Sequence, residues 1–188
     1  MKKLWLYCKI IFWPVTVMCA MYVASASSGF RLLKYGIEPR VIESLPHIYL
    51  MPFLHSSLQH LSNNLIGFTI FSLLCLMRSV RLYLWSSFFI ITVSGLLVWL
   101  FGRPAVHIGA SGWIFGLWSL SIMLALFDRS VLNIVIALAV VFLYGGMIYG
   151  IFPNNPGVSF EAHLFGAFAG AMAAWLSVAI NKAKRRRR

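Results

Sequence analysis

The chain is organised around residues 108–116, which read Ile-Gly-Ala-Ser-Gly-Trp-Ile-Phe-Gly. This stretch places one serine, Ser111, between Gly109 and Gly112, where a loop runs into a long apolar segment. A serine at the start of a helix is surrounded by free backbone N–H groups at the positive end of the helix dipole. Such N–H groups can hold a developing oxyanion. The stretch therefore favours a nucleophile at Ser111, but glycines beside a serine also occur in ordinary packing, so a base is needed elsewhere.

The composition indicates an integral membrane protein. Of the 188 residues, 61% are hydrophobic and 11% are charged, and the mean hydropathy is +0.85. A soluble domain is about half apolar and about one quarter charged. At about 20 residues per span, the length allows six helices in a single domain, residues 1–188. The apolar content is too continuous for the alternating strands of an outer-membrane barrel. We therefore predict an all-α, polytopic membrane protein built as a six-helix bundle.

Six apolar segments are predicted to cross the membrane: residues 10–27, 55–77, 82–101, 111–127, 131–152 and 160–181. The fourth is short, so its first residue, Ser111, is expected below the outer surface. Irregular backbone at that depth is tolerated where protein buries it or where it lines a wet cavity. The first segment also resembles a cleaved signal peptide, and both readings place residue 30 outside.

The net charge of +12 is distributed as a membrane topology requires. With both termini inside, 12 of the 16 Lys and Arg residues face the cytoplasm, as the positive-inside rule predicts. The basic C-terminal segment 182–188 predicts a partner in anionic membrane lipid. Nucleic acid is not an expected partner, because no aromatic or Gly-rich RNA motif accompanies the charge. The compact plan favours a bacterial cytoplasmic membrane.

Polar residues near the outer ends of the spans mark a candidate site. His60 and Asn64 are four residues apart and share one helix face, and His55 precedes them. His163 opens the sixth span. Polar and ionisable side chains inside a membrane are costly and indicate function. Together with Ser111, these residues are expected at one depth in the bilayer.

Small residues give a route for Ser111 and His163 to meet. The sixth span carries Gly166 and Gly170, and the fourth carries Gly112 and Gly116. Such spacing lets two helices approach closely. Contact between these faces would bring His163 within reach of Ser111 as its general base. The Ser111 N–H, His60 and Asn64 would then surround the oxyanion. Glu161, two residues before His163, is a candidate for orienting it.

These motifs resemble the rhomboid intramembrane serine proteases over residues 45–176. The matching residues are His55, His60 and Asn64 in the second span, Gly109, Ser111, Gly112, Phe115 and Gly116 in the fourth, and Ala162, His163, Gly166 and Gly170 in the sixth. The resemblance implies a six-helix rhomboid fold and a Ser111–His163 dyad. It also implies cleavage of a partner membrane protein near the outer face, with Gly109, Phe115 and His55 supporting the site. The family often has tyrosine at Phe115, and its first-loop Trp-Arg pair is replaced here by Pro46-His47.

Two other functions remain open at this point. A metal site could be formed by His55, His60, His163 and Glu161. That reading leaves Ser111 unexplained, and the chain has no His-Glu-x-x-His motif. Cys8, Cys19 and Cys75 are odd in number and form no Cys-x-x-Cys pair, so we expect neither disulfide bonds nor a zinc ribbon. No cofactor is expected. The second alternative is a catalytically silent relative that binds transmembrane segments.

Overall fold

A computed structural model describes residues 2–153 and 157–186 of the chain, and this part is helical with no β-strand. The last two residues of the predicted basic segment, 187 and 188, lie outside the described residues. The helices are α1 Lys2–Ser27, α2 Leu58–Arg78, α3 Val80–Phe101, α4 Ser111–Phe127, α5 Val131–Tyr144 and α6 Phe160–Arg186. By length and composition, five segments can cross a membrane, and α4 is a shorter apolar helix. The predicted all-α membrane fold is confirmed.

The helix ends differ from the predicted ones where local capping decides them. Ser57 caps α2 by accepting a hydrogen bond from the His60 N–H, so α2 begins at Leu58 and not at residue 55. A single residue, Ser79, separates α2 from α3. The fifth span continues beyond α5 as a 3₁₀ helix, Gly145–Ile151. The fourth span has the predicted bounds, 111 and 127.

The helix at the centre of the bundle is α4. Residues 112–121 are all buried, whichever side of the helix they occupy. A helix that is apolar on every side is stable when protein surrounds it. The surrounding protein is α6, α5, α2 and α3, which all pack on α4. Ser111 therefore begins a helix enclosed by the rest of the bundle.

Helices α4 and α6 meet through backbone contact. A Cβ atom added to Gly166 would overlap the carbonyl oxygen of Gly112, and one added to Gly170 would overlap that of Gly116. Ala173, one turn further along α6, is fully buried. Close van der Waals packing of this kind drives helix association in membranes. The pairing fixes the start of α6 beside the start of α4.

The segment between α1 and α2, residues 28–57, contacts the loop that leads into α4. Ile37 and His107 exchange two backbone hydrogen bonds of 2.9 and 2.8 Å as an isolated antiparallel bridge. The Gly109 N–H donates to the Met51 carbonyl over 2.9 Å. Both contacts hold the backbone just before Ser111.

Candidate active site

Ser111 is the first residue of α4 and is half-buried. The preceding residue, Ala110, has no side-chain acceptor to cap the first N–H groups of the helix. Gly109 adopts a left-handed φ of 108°, which favours glycine. This turn places Ser111 at the start of α4, beside backbone N–H groups that no side chain caps.

His60 and Asn64 converge on the backbone at Gly109. A Cβ atom placed on Gly109 would lie 2.6 Å from Nε2 of His60 and 3.4 Å from Nδ2 of Asn64. Asn64 is buried, and its Nδ2 has no hydrogen-bond partner within the described ranges. An unpaired buried donor costs about 1–3 kcal/mol and calls for an explanation. Two potential donors therefore approach the chain two residues before Ser111.

The ring of His163 is fixed on two sides. It stacks on Phe115, with centroids 4.1 Å apart and planes inclined by 7°. Its Nδ1 lies 2.9 Å from the Gly150 carbonyl oxygen, which can only accept, so Nδ1 carries the hydrogen. In the neutral ring, Nε2 is then the free acceptor.

Ser111 and His163 lie at the same end of the α4–α6 contact. Phe115, which carries the His163 ring, is four residues after Ser111 and on the same face of α4. An added Cβ on Gly112 would lie 3.0 Å from the Ala162 carbonyl oxygen. No hydrogen bond between the Ser111 and His163 side chains is found among the described residues. Catalytic hydrogen bonds are often long before substrate binds.

His55 lies in the loop before α2, and not within a span as its position suggested. It is fully buried, and its ring meets that of His60 edge-on, with centroids 4.9 Å apart. Burial, followed by the neighbouring His60, lowers the pKa of His55 to about 4. A neutral His55 therefore supports His60 at neutral pH.

The comparison with known proteins identifies the family. Residues 43–180 match the rhomboid domain. The chain belongs to the rhomboid family. An uncharacterized protein of Mycobacterium tuberculosis is 37% identical over 158 residues, which cover 79% of this chain and 66% of that protein. An uncharacterized Mycobacterium leprae protein is 33% identical over 159 residues, 80% of this chain and 60% of its own length.

A plant relative carries the family in its name. Rhomboid-like protein 11, chloroplastic, of Arabidopsis thaliana is 30% identical over 181 residues, which cover 88% of this chain and 64% of that protein. This rhomboid chain thus spans about two thirds of the length of the relatives it matches. Family membership and the apolar helices make it an integral membrane protein.

One buried residue in the loop before α4, His107, was not predicted from the sequence. Its Nδ1 lies 2.6 Å from the Ser159 hydroxyl, and its Nε2 lies 3.1 Å from the Arg103 carbonyl oxygen. Ser159 also accepts the Ala162 N–H, so it caps the start of α6. Burial lowers the pKa of His107, which keeps the ring neutral. The sequence signal that could have pointed to His107 is its position in the short loop between the helix-breaking residues 102–104 and Gly109.

Glu161 contacts the loop before α4. Its Oε1 accepts from the Arg103 N–H over 3.3 Å and lies 3.5 Å from Arg103 Nε. The carboxylate is buried, so this pair joins α6 to the loop 102–110. Within residues 2–153 and 157–186, no group of three His, Cys, Asp or Glu side chains is arranged to hold a metal ion.

Proposed function

We propose that this chain is an intramembrane serine protease. It hydrolyses a peptide bond in or near the outer end of a transmembrane segment of a partner membrane protein. The observation that carries the proposal is the fixed ring of His163, whose Nδ1 donates to Gly150 and whose Nε2 is left as a base. Membership of the rhomboid family supports the same conclusion.

In the proposed reaction, His163 Nε2 takes the proton from the Ser111 hydroxyl as Oγ attacks the carbonyl carbon of the substrate. The tetrahedral intermediate collapses, and the His163 imidazolium gives its proton to the leaving amine. Water then gives a proton to the same imidazole and attacks the carbonyl carbon of the acyl-enzyme. The ester bond to Ser111 Oγ breaks, Oγ takes the proton back from His163, and the new carboxyl end is released. The ring keeps its orientation through these steps because Phe115 and Gly150 hold it.

The oxyanion is proposed to be stabilised by Asn64, His60 and the Ser111 N–H. The buried Nδ2 of Asn64 lies beside Gly109 and lacks a hydrogen-bond partner among the described residues. It is therefore free to donate a hydrogen bond to the oxyanion. Loss of one such donor typically lowers kcat by about 10²–10³-fold. His55 contributes indirectly, because its ring packs on that of His60.

A lateral cavity suits a transmembrane substrate. It has a volume of about 280 Å³ and lies between α2 and the outer part of the fifth span, where Asn64, Gly67, Tyr144 and Met147 line it. A transmembrane helix satisfies its own backbone hydrogen bonds, so it must unwind before cleavage. We therefore propose substrates with small or helix-breaking residues near the outer end.

The proposed orientation has both termini in the cytoplasm of a bacterial cell, with the site near the external face. The distribution of Lys and Arg supports this orientation. Cysteine labelling from outside the cell, at positions 30 and 130 in turn, tests it. Labelling at 30 and protection at 130 is the expected result.

Cleavage of a model transmembrane substrate in proteoliposomes tests the activity. Ser111→Ala and His163→Ala should each abolish cleavage and labelling by a fluorophosphonate probe, while both variants stay folded. Ser119→Ala, a buried serine two turns further along α4, is the matched control and should retain both. Full cleavage by Ser111→Ala would refute the proposal. Substrate capture without labelling by the unchanged protein would indicate the silent binding function instead.

A further inference from the structure

The end of the bundle opposite Ser111 contains a basic cavity of about 350 Å³. It lies among the α2–α3 junction, the start of α5 and the last turns of α6. Its polar lining residues include Arg78, Arg81, Asn181 and Lys184, and its apolar lining residues include Leu82 and Trp85. The volume is within the usual range of small-molecule sites, about 300–1,000 Å³.

Arg78 is fixed within this cavity by uncharged acceptors. Its Nε donates to Oδ1 of Asn133 over 2.7 Å, and its Nη2 donates to the Ser121 carbonyl over 2.9 Å. Asn133 in turn donates to Oδ2 of Asp128 over 3.1 Å. Asp128 is therefore linked to Arg78 indirectly, through the side-chain amide of Asn133. The guanidinium is held in place without a direct ion pair in the part of the chain that is described.

The cavity has an excess of positive charge. Arg81 and Lys184 are exposed and come from different helices, and Asp128 is the one carboxylate among the described residues that line the cavity. Within that part of the chain, three cations line the cavity with a single anion. Arginine and lysine are the usual ligands of phosphate groups, the former as a planar fork and the latter as a point charge.

The apolar lining residues indicate which kind of phosphate-bearing ligand fits the cavity. Leu82 and Trp85 line the same cavity as the cations, and tryptophan is typical of the boundary between hydrocarbon and water. A free phosphate ion would leave these apolar residues without a contact. A phospholipid would place its phosphate on the cations and its glycerol and first methylenes on Leu82 and Trp85.

We propose that this cavity binds the phosphodiester headgroup of one anionic phospholipid. The site is distinct from diffuse attraction by the basic C-terminal segment, since a built cavity predicts a single, saturable ligand. The bound lipid connects α3, α6 and the end of α2 through its contacts with Arg81, Lys184 and Arg78. The proposal does not depend on proteolytic activity.

The test uses the whole protein, stripped of lipid in a neutral detergent and titrated with phosphatidylglycerol under native mass spectrometry. One tightly retained phosphatidylglycerol is expected. The double variant Arg81→Gln/Lys184→Gln should bind it about thirty-fold more weakly, as the loss of two exposed ion pairs with the phosphate predicts. The matched control is Arg129→Gln/Lys182→Gln, which removes two exposed charges at the same end but outside the cavity, and it should change binding less than threefold.

Separate arms distinguish the ligand sources. Phosphatidylcholine should bind at least tenfold more weakly, and millimolar inorganic phosphate should not displace phosphatidylglycerol. Equal weakening in the two double variants would show diffuse electrostatics and overturn the proposal. Equal binding of phosphatidylcholine, or displacement by inorganic phosphate, would also overturn it. If circular dichroism shows that Arg81→Gln/Lys184→Gln is unfolded, Lys184→Gln against Lys182→Gln repeats the comparison with single changes.

Discussion

The imidazole ring of His163 lies parallel to the phenyl ring of Phe115, with their centroids 4.1 Å apart. Gly150 contacts both rings. Its carbonyl accepts a hydrogen bond from His163 Nδ1, and an added Cβ at Gly150 would lie 2.6 Å from Cζ of Phe115. Three separate segments thus determine one ring's plane and tautomer.

Phe115→Leu tests the role of the stacked ring. Aromatic pairs contribute about 0.5–1.5 kcal/mol beyond burial, so we expect kcat to fall about three- to tenfold with little change in KM. Phe89→Leu removes a phenylalanine that stacks on Trp85, away from the site, and serves as the control. Steady-state cleavage of a transmembrane substrate measures both constants. An unchanged kcat for Phe115→Leu would contradict a positioning role for this ring.

Gly166→Ala tests the backbone contact between α4 and α6. The added methyl would meet the Gly112 carbonyl, which cannot rotate away, so we expect a loss of about 3 kcal/mol or more in the free energy of unfolding. Gly145→Ala is the matched control, because no atom lies within 4 Å of its added Cβ. Thermal unfolding in neutral detergent compares the two. Similar melting temperatures would show that the contact is looser than described.

Ser159→Ala tests the hydroxyl shared by His107 and the start of α6. The change removes a helix cap, worth about 1 kcal/mol, and leaves buried His107 Nδ1 without its partner, which costs about 1–3 kcal/mol more. Ser130→Ala removes only the cap of α5 and should cost about 1 kcal/mol. Chemical denaturation of both variants measures the difference. Equal losses would mean that the His107 contact adds nothing.

The buried histidines predict lower stability in acid. His55 has a pKa of about 4 when folded, against 6.5 for the free side chain, so the unfolded chain binds the extra proton. Stability is therefore full above about pH 6.5 and falls as pH decreases towards 4. From pH 7 to pH 5, His55 alone should lower the free energy of unfolding by about 2 kcal/mol. Melting temperatures across this range, with His55→Gln as a flatter comparison, provide the measurement.

The sequence predicted the helices well where composition alone determines them. Residues 111–127 are apolar throughout and follow a glycine turn, so both ends of α4 could be assigned. The start of α2 was wrong by three residues, because Ser57 and not His55 caps the helix. The 3₁₀ segment Gly145–Ile151 was not predicted, because apolar residues of this kind are compatible with either helix type.

The site was less predictable than the fold. Spacing placed His60 and Asn64 on one face and suggested that Gly112 and Gly166 meet. Contacts between distant loops leave no periodic signal, so the pairing of His107 with Ser159 was missed. The same limit applies to Glu161, whose sequence neighbour is His163 but whose contact is Arg103.

The short central helix has a consequence for how membranes of different thickness affect this protein. At 1.5 Å per residue, the 17 residues of α4 extend about 25 Å, less than the roughly 30 Å of a typical hydrocarbon core. Because neighbouring helices shield α4, hydrophobic mismatch acts on the outer helices and not on α4 itself. A thicker bilayer would tilt or stretch the periphery while Ser111 keeps its place relative to the bundle. The position of the serine within the bundle is therefore set by the protein and not by the lipid around it.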